Sequence, residues 1–264
     1  MRKRLILAMV LAVLLAAMIL TRRQPEAEAG GNEPAVEQAA GQSEAAPSGE
    51  RRPSGKVTAA PGGGIEISIE RDSGTETHVF SDVQADDWYV EAVNYVVSNG
   101  LMNGVADETG GERFRPDFGM TRAQLAVILY RFAGGEPTEP KREYADVLSG
   151  EWYYDSVNWA DAQGLIAAEG EDTFGVDEYC CCEEVLTALY LAAGSPASSA
   201  GLEDYPYAPK VSEKGLNAVR WAWEKGLIAE DDCIWYPTQA LSRAQIAVLL
   251  MRYDMLAGSS AAEE

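Results

Sequence analysis

One six-residue phrase occurs twice in this chain and constrains the fold more than any other feature. Met120–Leu125 reads MTRAQL, and Leu241–Ile246 reads LSRAQI. A degenerate third copy lies between them, where residues 181–185 read CCEEV. Recurrence over intervals of this size is typical of repeat proteins, in which one unit is too small to bury a core alone.

Each full copy of the phrase predicts the start of a helix. Thr121 with Gln124, and Ser242 with Gln245, fit a capping box, in which a hydroxyl and an amide side chain bond the first backbone N–H groups. Apolar residues follow the first copy at helical spacing; they are Leu125, Ile128, Leu129 and Phe132.

The arginine of the phrase, Arg122 or Arg243, is unusual at a helix start. A cation there opposes the helix dipole at a cost of about 0.3–1 kcal/mol. One interpretation is an anion site, built from the arginine and free helix N–H groups. The other is an arginine that pairs only with a nearby carboxylate. The residues alone leave both open.

A second set of marks recurs upstream of the phrase. Phe80–Val83 returns as Tyr144–Val147, and Asp87–Tyr89 returns as Glu151–Tyr153. The third copy opens with Tyr205–Tyr207 and lacks both the Asp-Val and the Trp-Tyr pairs.

Each copy therefore predicts two helices. The first follows Trp88, carries Val93, Val96 and Val97 on one face, and stops at Gly100. The second begins at the repeated phrase and, in the first copy, ends near Gly134. Two helices enclose no core, so we expect an all-α fold of three helix-loop-helix repeats that pack together.

The N-terminal part predicts export. Residues 1–29 hold a basic start, an apolar run over residues 5–20 and a small-x-small sequence at residues 27–29, which suits a cleaved signal peptide or an uncleaved membrane anchor. Residues 30–79 are predicted to be a flexible linker because large apolar residues are scarce up to Gly64. Ile65–Ile69 alternates at period two, which favours one short strand.

Charge and composition exclude several functions. A formal net charge of −21 argues against nucleic acid and anionic membrane surfaces, which both need a basic face. The only histidine, His78, is expected at the surface and allows no nucleophile–His–acid set within the predicted fold. We expect no enzyme, no catalytic residue, no cofactor and no metal site.

Taken together, the marks resemble three copies of the S-layer homology domain. They include the Phe/Tyr-x-Asp-Val opening, the following Trp, Gly100–Met102, Phe114–Pro116, and Thr/Ser-Arg-Ala-Gln where the family usually has Thr-Arg-Ala-Glu. The copies span residues 80–137, 144–197 (degenerate) and 203–256, with a tail at 257–264. The resemblance implies a pseudo-trimeric bundle with grooves between adjacent copies.

The resemblance also implies a function. Such domains hold proteins non-covalently on the bacterial cell wall by binding a secondary cell-wall polysaccharide, often pyruvylated. The implied ligand residues are Trp88, Gly104, Thr121, Arg122, Trp152, Ser242 and Arg243. Cys182 replaces the arginine of the second copy, so we expect at most two competent grooves. Trp88 and Trp152 also suit core positions under a helix.

The alternative function is a structural or self-assembling envelope protein that has lost glycan binding and whose partners are other envelope proteins. Cys182 favours this alternative locally, whereas the two arginines favour glycan binding. Both hypotheses place the protein at the cell surface.

The cysteines are Cys180, Cys181, Cys182 and Cys233. Three consecutive cysteines lack the CxxC spacing of zinc sites. Three interpretations remain open. They are a disulfide to Cys233, a thiol activated at a helix N-terminus, and sequence divergence at a degenerate ligand position.

Overall fold

The computed structural model describes residues 54–107, 110–229 and 235–260. The predicted export segment, residues 30–53 of the predicted linker and Cys233 lie outside these ranges. Within the described ranges, no helix is both long and apolar enough to cross a bilayer.

The fold is a mixed α and β structure, so the prediction of an all-α fold behind a disordered linker is wrong. Five strands form one sheet in the order β1-β2-β3-β5-β4. The strands are β1 (Lys56–Ala59), β2 (Ile65–Arg71), β3 (Gly74–Phe80), β4 (Val105–Ala106) and β5 (Glu112–Arg113). Neighbouring strands are antiparallel except β3 and β5, which are parallel at Phe80 and Glu112.

The alternating isoleucines explain why a strand forms inside the predicted linker. Ile65, Ile67 and Ile69 of β2 are buried, and the expected short strand is confirmed. Its partner β3 carries mostly polar residues and β1 has only four residues, so composition alone favoured a linker. A lone strand is unstable without partners, and β1 and β3 supply them on both sides.

The described residues contain six α-helices, and the first two match the predicted pair. They are α1 (Val90–Ser98), α2 (Arg122–Ala133), α3 (Tyr154–Gln163), α4 (Cys182–Ala192), α5 (Leu216–Glu224) and α6 (Arg243–Ser260), with a short 3₁₀ helix at Ala208–Lys210. The capping box of α2 is confirmed, since Gln124 N donates to Thr121 Oγ1 at 3.3 Å and Thr121 N donates to Gln124 Oε1 at 2.9 Å. Gly134 ends α2 in the left-handed conformation.

Helices pair across the sequence rather than only with their neighbours. Helix α2 packs on α3, α4 packs on α5, and α6 returns to pack on α1. The first and last helices of the described chain are therefore partners, and the packing closes on itself.

A ring of backbone hydrogen bonds joins the three segments that precede α2, α4 and α6. Met120 N donates to Leu241 O at 3.3 Å, Leu241 N donates to Cys180 O at 3.2 Å, and Cys180 N donates to Met120 O at 3.0 Å. All three side chains are buried. Each segment thus donates to one neighbour and accepts from the other.

The sheet is tied to the helices by the residue that leads into β1. Asn94 Nδ2 of α1 donates to Gly55 O at 2.8 Å, and Gly55 N donates to Ser98 Oγ at 2.8 Å. Ser98 Oγ donates in turn to Asn94 Oδ1 at 3.0 Å. Asn94 and Ser98 are both buried, so these bonds fix the start of β1 across α1.

We expect Asn94→Ala to lower the free energy of unfolding by about 1–3 kcal/mol, because Gly55 O loses its side-chain donor and the buried Ser98 hydroxyl loses its acceptor. Urea unfolding measures the loss, and hydrogen exchange at Gly55 should accelerate. The matched control is Asn217→Ala on α5, whose side chain is exposed. Equal stability of the two variants would contradict this role of Asn94.

Candidate binding site at two helix N-termini

The first N–H groups of α2 and α6 are already bonded. Arg122 N donates to Glu178 O at 2.8 Å and Ala123 N to Val176 O at 3.2 Å. Arg243 N donates to Phe118 O at 2.8 Å in the same way. The expectation of free N–H groups for an anion is therefore wrong at both helices, and an anion must be recognised by side chains.

The carbonyls come from loops elsewhere in the chain. Residues 114–121, 174–181 and 235–242, called the helix-start loops, precede α2, α4 and α6. The start of α2 bonds the second loop, that of α4 bonds the third through Gln239 O and Pro237 O, and that of α6 bonds the first. Each helix start is thus completed by the next loop.

The Arg122 side chain is buried and fully engaged by the protein. Its Nη2 donates to Phe174 O at 3.0 Å and also to Ala167 O, and its Nη1 pairs with the Glu184 carboxylate. A second carboxylate, that of Glu169, lies 3.5 Å from Nη1. The carboxylate pairing that one interpretation expected is present at Arg122, together with bonds to backbone carbonyls. Ligand binding by Arg122 stays a prediction.

Arg243 repeats this geometry on the first loop. Its Nε donates to Phe114 O at 2.8 Å and its Nη2 to Asn103 O at 2.7 Å. The guanidinium carbon lies 4.8 Å from the centre of the Phe114 ring, and that of Arg122 lies 5.2 Å from the Phe174 ring. Each arginine therefore stacks on an aromatic ring and also donates to the backbone carbonyl of that aromatic residue.

Two aspartates hold those aromatic residues in place. Asp82 accepts from Phe114 N and Arg115 N, each at 2.8 Å. Asp146 accepts from Phe174 N, Gly175 N and Val176 N at 2.9, 2.7 and 3.0 Å. Burial alone would raise the pKa of the Asp146 carboxyl, but the donated N–H groups hold that pKa below its usual value.

Sequence reasoning missed Asp82 and Asp146 as parts of the site, together with Glu169 and Glu184. The signal for the aspartates was present in the recurring Asp-Val pair. No comparable signal marked Glu169, because acidic residues are abundant on this chain.

The other predicted site residues differ in burial. Trp88 is 48% exposed and packs edge-on against Tyr89, so the core position considered for it is wrong. Trp152 is partly buried and packs edge-on against Tyr153. Thr121 and Ser242 are partly buried N-cap residues whose hydroxyls accept from Gln124 N and Gln245 N.

Gly104 lies next to a residue that bonds Arg243, not to one that bonds Arg122. It follows Asn103, whose carbonyl bonds Arg243. A side chain at Gly104 would place its Cβ 2.5 Å from Phe80 Cε1, so a larger residue would displace that buried ring. The structure thus joins residues that the sequence assigned to different copies.

The cysteines of the second loop lie in a poor environment for thiolates. Burial raises the pKa of the Cys180 thiol to about 12 and that of Cys181 to about 11. Activation at a helix N-terminus is therefore wrong for these two. Cys182 is buried at the start of α4. The proposed disulfide partner Cys233 lies outside the described residues.

His78 is partly buried, not a plain surface residue. Its ring nitrogens lie 3.1 Å from Glu112 Oε2 and 3.2 Å from Glu76 Oε1. The ring stacks on Phe80 with centroids 6.0 Å apart. The residues that the structure describes contain no cluster of three metal-ligand side chains.

The family model of the S-layer homology domain matches residues 79–126. This range includes α1 and the first residues of α2, with Asp82, Trp88 and Arg122. It covers one of the three predicted copies.

Three relatives extend the similarity. They are an S-layer protein sap from Bacillus anthracis, 25% identical over 79% of this chain, an amylopullulanase from Thermoanaerobacterium thermosulfurigenes, 22% identical over 65%, and a cellulosome-anchoring protein from Acetivibrio thermocellus, 27% identical over 48%. The chain spans only 25%, 9% and 30% of their respective lengths. The similarity therefore does not extend to most of the amylopullulanase.

We expect Asp146→Ala to destabilise the protein by about 1–3 kcal/mol at neutral pH, because three buried N–H groups lose their acceptor. The pKa of this carboxyl is lower in the folded protein than in the unfolded chain, where it is about 4. Its contribution to the free energy of unfolding is therefore complete above the unfolded pKa and is lost as the pH falls through the folded pKa. Urea unfolding from pH 7 downward should show the variant and wild type converge. Asp172→Ala, at an exposed carboxylate two residues before Phe174, should change little.

Proposed function

We propose that this chain anchors non-covalently to the bacterial cell wall through an anionic secondary cell-wall polysaccharide, and that it acts at the cell surface without catalysis. The match to the S-layer homology domain at residues 79–126 carries the proposal. The names of the relatives agree with it, since two are S-layer and cellulosome-anchoring proteins.

We infer further that residues 144–197 and 203–256 are diverged copies of the same domain. The support is geometric. The starts of α2, α4 and α6 each donate two backbone N–H groups to the carbonyls of another helix-start loop. The starts of α2 and α6 each add an arginine over the aromatic residue of that loop.

The two arginine sites suit an acidic sugar such as a pyruvylated one. A guanidinium held by fixed carbonyls presents its charge in one orientation, which favours a carboxylate ligand. The exposed Trp88 offers an apolar face for a sugar ring. Cys182 supplies no such cation, so the start of α4 is not proposed as a site.

The second candidate is a structural envelope protein without glycan binding. Two observations favour it: the Arg122 guanidinium already pairs with Glu184, and Cys182 stands where the other two helices have arginine. Wall binding discriminates between the candidates.

The deciding experiment is a pull-down of the full chain with bacterial cell walls, before and after removal of the secondary polymer. Trp88→Ala should bind intact walls about fivefold more weakly, since one aromatic contact contributes about 1 kcal/mol. Met255→Ala is the control, because Met255 is an apolar residue of similar exposure, 46%, that lies twelve residues beyond Arg243 on α6 and has no part in the proposed site. Binding that survives removal of the polymer would contradict the proposal.

We also expect Arg122→Ala to weaken wall binding by roughly tenfold and Cys182→Ala to leave it nearly unchanged, because only the arginine supplies a charge-assisted contact. Arg122 is buried, so urea unfolding must accompany the measurement. Arg122→Lys, which keeps the charge but not the paired bonds to Phe174 O, separates charge from geometry. Unchanged binding by a folded Arg122→Ala would remove Arg122 from the site.

A further inference from the structure

We propose that Glu169 occupies the position at Arg122 that an acidic group of the wall polymer takes, so that it competes with the ligand and sets the affinity of this site. The inference rests on the proposed function. It concerns a residue of the loop that follows α3, which the sequence did not single out.

The hydrogen bonds of Arg122 leave one approach to its guanidinium. Nε and Nη2 face the backbone, where they bond Phe174 O, and Nη2 also bonds Ala167 O. Nη1 faces two carboxylates, those of Glu184 and Glu169. An external anion must therefore reach Arg122 at Nη1.

The two carboxylates at Nη1 differ in how firmly they are held. Glu184 is also fixed by the capping box of α4, where its Oε2 accepts from Cys181 N at 2.9 Å. Glu169 lies in an irregular segment, and its side chain is 54% exposed. Because a half-exposed carboxylate reaches Nη1 from the solvent side, it lies on the path of a ligand and is the one that a ligand can displace.

Gly175 makes room for this arrangement. A Cβ at Gly175 would lie 2.7 Å from Glu169 Cγ and 3.1 Å from Arg122 Nε. Its backbone is left-handed, with φ of 86°, a conformation that glycine adopts without strain. The absent side chain thus lets the Glu169 stem pass over the loop and reach the arginine.

Displacement of Glu169 is energetically accessible. The Glu169 side chain is 54% exposed and that of Arg122 is 3% exposed, so water screens this ion pair from the Glu169 side. Glu184 still pairs with the buried guanidinium when Glu169 leaves. A ligand carboxylate that adds further contacts can replace it. The site should therefore bind small carboxylates weakly and bind an acidic group more tightly when it is carried on a larger glycan.

The test uses the full chain as wild type, Glu169→Gln and Glu171→Gln. Glu171 is an exposed residue of the same segment, so its variant removes the same charge from nearly the same place. The first probe is sodium pyruvate, a simple carboxylate, followed through the NMR signal of the Arg122 Nε–H group. Glu169→Gln should bind pyruvate about threefold to tenfold more tightly than wild type, and Glu171→Gln within about twofold of wild type.

Equal pyruvate affinity of Glu169→Gln and wild type would overturn the proposal. So would an equal gain in Glu171→Gln, because it would indicate a general charge effect. Urea unfolding checks that the variants are folded, and Glu169→Ala should reproduce the gain if the competing carboxylate is the cause.

Binding to intact cell walls separates this inference from the proposed function. If wild type binds walls and Glu169→Gln binds them no more tightly, the inference about Glu169 is overturned and the wall anchor is retained. In the opposite outcome, Glu169→Gln binds pyruvate more tightly than wild type, but neither wild type nor any variant binds walls. That result would support the competing role of Glu169 and overturn the wall anchor.

Discussion

The fold depends on how the N-termini of α2, α4 and α6 satisfy their backbone N–H groups. The first N–H groups of a helix have no partner within it. Here the N-cap side chains supply only part of what is needed, and the remaining acceptors are carbonyls of a loop that belongs to another part of the chain. Because each loop serves a different helix, the three helix starts are all complete only when all three segments have come together.

The arginines extend the same dependence to side chains. A buried guanidinium is costly unless its donors are bonded and its charge is balanced. Arg122 and Arg243 donate to the carbonyls of Phe174 and Phe114, whose loops are themselves held by Asp146 and Asp82. The charge of Arg122 is also balanced by Glu184. The proposed binding residues are therefore groups that also hold the fold, and a ligand at the proposed site would add its contacts to this existing network.

Local signals in the sequence predicted local structure well. Helices α1 and α2, the capping boxes and strand β2 follow from periodicity and from residue types at fixed spacing. The sheet was missed because β1 and β3 owe their stability to β2 rather than to their own pattern. The surroundings of Arg122 were beyond prediction, since Phe174, Glu169 and Glu184 approach it from distant positions. Grouping residues by predicted copy also failed for Gly104, because its neighbour Asn103 bonds Arg243 of the third predicted copy and not Arg122 of the first.

The bonds between Gly55 and α1 have a mechanical consequence. Tension applied to the chain ahead of Gly55 reaches Asn94 and Ser98 before it reaches the pairing of β1 with β2. The two hydrogen bonds of Gly55 to these buried side chains are therefore the first to carry the load. Asn94 and Ser98 belong to α1, and α1 packs on α6. A pull at one end of the described chain is thus passed directly to the helix at its other end, and the two ends share the force that a tether must resist.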